Sequence, residues 1–158
     1  MLNYVEPVFR PPSEGRSLIL QVTNGCSWNK CTFCDMYTQP QKKFKAKPED
    51  ETLAEIKKAA AAGPQFEKVF LADGDALVLP IRRLVEILTA IKKYMPWVKR
   101  VSSYCLPRNI RKKSVEDLIN VFKHCIVFPY VWYIKRFAIG VKPELRIKIS
   151  SIFSGITP

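Results

Sequence analysis

Long apolar runs are missing from this sequence. The longest strongly apolar stretch, Ile126 to Ile134, is interrupted by Pro129. It falls well short of the ~20 residues that a membrane-spanning helix needs. An apolar signal segment is missing too, since Met1 to Arg10 carries Glu6 and Pro7. The expected location is the cytoplasm, with no membrane partner. Acidic residues are scarce, with 14 Asp and Glu against 26 Lys and Arg, for a formal net charge of +12. The excess is densest after Asn120, where Glu144 is the only acid. Such a balance suits acidic partners, nucleic acid or phosphate among them. A solvated basic surface, or a tail of unselected composition, explains it more simply, so nucleic acid is the lesser expectation. Histidine is nearly absent: His124, in the tail, is the only one and is assigned no role. An even set of cysteines is lacking as well. Five of them cannot form a fully paired disulfide framework. In a reducing compartment, clustered thiols point to metal or redox chemistry.

What is present suits one α/β domain. The 158 residues are 47% hydrophobic and 25% charged, enough for a sizeable core. Residues 1–16 read as an irregular lead-in broken by Pro7, Pro11, Pro12 and Gly15. Leu18 to Thr23 is short, apolar and β-rich, a buried strand stopped by Asn24-Gly25. A basic loop, Gln39 to Lys47, precedes a first helix opened by Pro48 and the acids Glu49, Asp50 and Glu51. Leu53, Ile56, Ala59 and Ala60 form its expected apolar face, and Gly63-Pro64 ends it. Lys68 to Asp73 is a second strand. A second helix opens at Pro80, keeps a 3.6-residue period through Ile81, Leu84, Val85, Leu88 and Ile91, and closes at Pro96. Arg100 to Tyr104 is a third strand. Ser114 and Asp117 resemble a capping box for a third helix, with Val115, Leu118, Ile119 and Phe122 inward.

Strands alternating with amphipathic helices imply a parallel sheet with right-handed crossovers. Ligand chemistry in such folds sits at the carboxyl ends of the strands. Three unusual loops should share that rim: Asn24 to Tyr37, Asp73 to Val78 and Cys105 to Arg108.

The first of these loops contains Gly25-Cys26-Ser27-Trp28-Asn29-Lys30-Cys31-Thr32-Phe33-Cys34-Asp35-Met36-Tyr37, a C-x4-C-x2-C spacing. Three thiolates on one loop can converge on one centre, and soft thiolates suit iron–sulfur clusters or zinc. A four-iron cluster on three cysteines keeps one iron open. A structural zinc would want a fourth ligand, Cys105 or His124. Inert packed thiols are the plainest alternative.

Gly-Cys…Cys-x-Phe-Cys, directly after the first strand of a βα series, resembles the radical S-adenosylmethionine (SAM) superfamily. The common pattern there is C-x3-C-x2-C, so this chain has one residue more in the first gap. The resemblance covers about residues 5–119 and implies a partial (βα) barrel, TIM-barrel-like, with a parallel sheet. It implies that Cys26, Cys31 and Cys34 ligate a [4Fe–4S] cluster and that SAM chelates the open iron. Phe33 would lie near the adenine. Asp73-Gly74-Asp75-Ala76 stands where the family has Gly-Gly-Glu, so Gly74 and Asp75 would meet the SAM amino group, with Asp73 replacing the first glycine. An electron donor such as flavodoxin or ferredoxin is implied, as are reductive cleavage to a 5′-deoxyadenosyl radical and hydrogen abstraction from a substrate. A zinc-stabilised binding module for RNA is the rival reading, and a non-catalytic remnant of the family a third.

Simpler roles stand beside these. Asp73-Gly74-Asp75 suits any strand-to-helix turn, and Cys105 suits a packed thiol. Arg108 could hold an acidic group or be a solvated charge. Gln41 to Lys47 reads as a solvated loop more readily than as a phosphate contact with Phe44 stacking. Trp28 and Met36 suit a cofactor pocket or ordinary loop packing. Residues 17–120 form the expected barrel part, and 121–158 a basic, apolar tail in which no further βα unit is legible. The loss of agreement between strand, stop, helix and cap near residue 120 leads to the expectation of a truncated or frame-shifted chain.

Overall fold

The β-rich runs and the 3.6-period segments become strands and helices where the pattern places them. The computed structural model describes residues 2–32, 34–124 and 127–130. The strands are β1 (Leu18–Gln21), β2 (Thr23–Asn24), β3 (Lys45–Ala46), β4 (Lys68–Ala72), β5 (Arg100–Tyr104) and β6 (Val127–Tyr130). The helices are α1 (Glu49–Ala61), α2 (Ile81–Tyr94), α3 (Pro107–Arg111) and α4 (Val115–His124). Four strands form one parallel sheet in the order β1-β4-β5-β6. The short β2 and β3 pair antiparallel beside it.

Strand order follows chain order. Crossovers of one hand therefore place the helices on the same face of the sheet, as in an arc of a (βα) barrel. Helix α1 packs on α2, and α2 on α4. Leu20, Val69, Leu71 and Val101 point into this layer and meet Ile56, Leu84, Ile87, Leu88 and Ile91, all nearly fully buried. Register aligns the alternate positions Ile19, Phe70 and Ser102 on the opposite face. There Phe70 meets Tyr104 edge-on, ring centroids 5.1 Å apart.

The structure differs from the sequence reading at four points. Helix α1 buries Thr52, Glu55, Ile56 and Ala59, whereas Leu53, expected inward, is exposed. Polar partners drive this rotation. Arg83 of α2 is buried and donates to Thr52 Oγ1 and Pro48 O, each at 3.0 Å. Lys47 pairs with Glu55, which also accepts the Asn3 N–H at 3.1 Å. Pro48 stands at the N-cap, one position before the one expected.

The segment Cys105 to Arg108, expected as loop, turns into α3, with Pro107 as its first helical residue. Ser114 does cap α4: its hydroxyl accepts the Asp117 N–H at 3.0 Å. Leu118 is buried, while Val115 and Ile119 are half-buried. The side chain of Phe122 lies outside the described residues.

The largest difference follows Asn120. Helix α4 continues to His124, and β6 joins the sheet in parallel register with β5, Ser103 opposite Pro129. The sheet thus gains a fourth strand from the tail in which no further βα unit is legible in sequence. Among the described residues β6 is an edge strand, where a proline is tolerated because it does not sit between two hydrogen-bonded neighbours. Cys125 and residues 131–158 lie outside the described residues. No helix among the described residues is long and apolar enough to cross a membrane.

Candidate functional site

The three expected loops meet on the rim at the carboxyl ends of β1, β4 and β5. The contact point is Asp75, which is fully buried. Its carboxylate accepts from the Ser27 hydroxyl on the cysteine loop. It also accepts from Asn109 Nδ2 at 2.6 Å and from the Leu106 N–H at 3.4 Å, both beyond β5. Burial pushes the Asp75 carboxyl up, and the Ser27, Leu106 and Asn109 hydrogen bonds and Arg108 pull it back. Arg108 donates to the Ser27 carbonyl at 3.1 Å and to the Ser27 hydroxyl at 2.9 Å. Its guanidinium also lies 4.7 Å from the centroid of the Trp28 ring. Arg108 is therefore not a free loop charge; it holds the cysteine loop.

The cysteines stand beside this knot. Cys26, Cys31 and Cys34 are free thiols of intermediate exposure. Burial raises the Cys31 pKa, and charge on Cys26 and on Cys34 raises it further. The three thiols therefore lie within electrostatic reach of one another. Among the described residues no three His, Cys, Asp or Glu side chains stand in metal-ligand geometry. The donor set fits an iron–sulfur cluster: three soft, solvent-reachable sulfurs on one short loop. Cys105 does not join them. It is 7% exposed and packs with Leu77, Ile110 and Leu118, and burial pushes its thiol up to about 12. The side chain of His124 lies outside the described residues, as does Phe33.

Gly74 is where the loop closes on the sheet. A Cβ there would come within 2.7 Å of the Tyr37 ring and 3.0 Å of Cys26 Cβ. Only glycine leaves room for both ends of the cysteine segment. Tyr37 is buried; burial, followed by the charge of Asp73, raises its phenol pKa. Phe9 of the lead-in meets the Tyr37 ring edge-on at 5.3 Å between centroids. Tyr104, at the end of β5, is pushed up to about 12 by burial and by the charges of Asp73 and Cys34. Met36 is half-buried and Trp28 is 47% exposed.

Asp73 has a partner that no residue pattern marks. Lys42, in the run expected to be solvated, is fully buried and ion-paired to Asp73, with both side chains at 0% exposure. Its ammonium also donates to Val5 O at 2.7 Å, and Gln21 Nε2 donates to Asp73 at 3.4 Å. Lys43, Phe44 and Lys45 of the same run are exposed, as expected. Tyr37, Lys42, Ser27 and Asn109 escaped notice because each is polar or aromatic with no spacing that marks it. The alternation of strand and helix predicts the meeting of the loops but not which side chains bind there.

The family model of the radical SAM superfamily matches residues 20–141. The chain belongs to the radical SAM superfamily. The match runs through the cysteine loop, the Asp73 turn and β6. Members of the superfamily generally use a [4Fe–4S] cluster and SAM. The α/β architecture, with its parallel sheet and its helices in chain order, is that of a partial radical SAM (βα) fold. No curated protein and no solved structure gives a significant match to the chain.

Proposed function

We propose that this radical SAM chain holds a [4Fe–4S] cluster on Cys26, Cys31 and Cys34 and uses it with SAM to take hydrogen from an organic substrate. One observation carries the reading: three free, partly exposed thiols lie on the loop leaving the first strand of the parallel sheet, at the rim where three loops meet. When bound, the cluster would supply the one electron that breaks the carbon–sulfur bond of SAM, giving methionine and a 5′-deoxyadenosyl radical. An external one-electron donor such as flavodoxin or ferredoxin would serve it.

The chain's own residues do the positioning. Gly74 keeps the backbone beside Cys26 slim, and it is assigned to the amino end of SAM, while Asp75, its carboxylate taken up by Ser27, Asn109 and Leu106, backs that turn from beneath. Phe33, between Cys31 and Cys34, is assigned to the adenine. Tyr37, Phe9, Phe70 and Tyr104 place aromatic bulk under the rim, which limits water near a reactive radical.

Anaerobic reconstitution tests this. Iron and sulfide should bind, the reduced protein's electron paramagnetic resonance signal should change when SAM is added, and 5′-deoxyadenosine should form. Replacing Cys26, Cys31 or Cys34 by Ala should drop iron to background, whereas Cys105→Ala should keep it. Iron lost from Cys105→Ala, or a resonance signal indifferent to SAM, would count against the proposal.

A further inference from the structure

We infer that the turn Asp73-Gly74-Asp75 is the seat of the cysteine loop and that it fixes Cys26 in place before any metal arrives, with Ser27 as the residue it grips. The geometry stands by itself; only its purpose, preparing a cluster site, rests on the function proposed above. The three consecutive residues meet the two ends of the loop and the segment just beyond it. Asp73 is ion-paired to Lys42 downstream of the loop and neighbours the Tyr37 phenol. Gly74 lies against the Tyr37 ring and Cys26 Cβ, with no space for a side chain. Asp75 accepts the Ser27 hydroxyl. The two ends of the cysteine segment, Cys26-Ser27 and Tyr37, are thus held by one turn.

Ser27 is gripped from both sides. Its hydroxyl donates to the Asp75 carboxylate and accepts from Arg108 at 2.9 Å, while its carbonyl accepts from Arg108 at 3.1 Å. Both partners carry charge, which makes such hydrogen bonds stronger than neutral ones. Each partner is itself held: Asp75 by Asn109 and Leu106, Arg108 by the face of Trp28. A loop already ordered at Cys26 loses less conformational freedom when it closes on a ligand. Ser27, Asp75 and Arg108 are positioning residues here.

The test uses the metal-free full chain. Iodoacetamide alkylation of Cys26 is measured relative to Cys31 in the same molecule by peptide mass spectrometry. Ser27→Ala should raise the Cys26-to-Cys31 ratio about tenfold, as loss of one charge-assisted hydrogen bond would. Ser27→Thr, which keeps the hydroxyl, should restore the ratio, and circular dichroism should stay that of the wild type. Iron uptake at limiting iron and sulfide should slow in Ser27→Ala and recover in Ser27→Thr. If Ser27→Ala does not fold, Asn109→Ala must shift the ratio in the same direction, because it loosens Asp75 without touching the loop. An unchanged ratio in the folded variant overturns the inference. If the wild type takes up no iron, the cluster assignment fails and the alkylation ratio alone decides the seating.

Discussion

The helix-facing side of the sheet and the rim at its carboxyl ends are built from opposite materials. Toward the helices the sheet presents Leu20, Val69, Leu71 and Val101 to an apolar layer. Toward the rim it carries Asp73, Asp75, Gln21 and Lys42, all buried, each with polar partners. The apolar layer is held by area removed from water, which is non-directional and tolerant of neighbours. The rim is held by directed pairs, each of which is costly if one member is lost. The scaffold can therefore be averaged over many contacts, whereas the rim depends on a few particular ones.

Breaking the rim should be the harsher insult. Lys42→Met strands the buried Asp73 charge and should cost about 3–5 kcal/mol in denaturant unfolding. Removing both charges, Lys42→Met with Asp73→Leu, should recover most of that loss. A double variant no better than the single one would mean that the pair is not a closed unit.

The helix side should show graded losses. Leu88, 1% exposed, should lose about 2–5 kcal/mol on truncation to Ala. Leu53, 38% exposed on α1, should change stability by no more than about 0.5 kcal/mol. Equal losses from the two would show that α1 is rotated from the orientation described.

The smallest effect lies where the two materials meet. Cys105 is packed among Leu77, Ile110 and Leu118 yet neighbours Asp75, and its thiol is pushed up to about 12, first by burial and then by that carboxylate. The folded value lies above the unfolded one of about 8.5, so the neutral thiol's contribution is complete below about pH 8.5. It should fade as pH rises toward 12. Cys105→Val should flatten that alkaline decline in a pH series of unfolding curves. At pH 8, iodoacetamide should label Cys26, Cys31 and Cys34 well ahead of Cys105.

Much of this molecule was legible in its residues because the relevant physics is local. Strand and helix follow from side-chain period, so Leu84, Leu88 and Ile91 are as buried as their spacing implies. The cysteine spacing and its place after the first strand pointed to the family, and the family model bears that out. Where local rules compete, the reading slipped. Pro129 hid β6, since the penalty for proline depends on whether a strand is internal or at an edge, and only the sheet decides that. Leu53 looked inward until Thr52 and Glu55 found partners on α2, the lead-in and the basic loop.

By itself, then, the sequence determined the βα alternation, the parallel sheet and the loop that carries three thiols. The tertiary structure alone decided what that loop rests on. Lys42 and Asp73 are 31 residues apart, Ser27 and Asp75 are 48 apart, and Ser27 and Arg108 are 81 apart. No periodicity links such positions. A buried charge or hydroxyl is stable only against a partner, and the partner is chosen by which strand ends the fold brings to one rim.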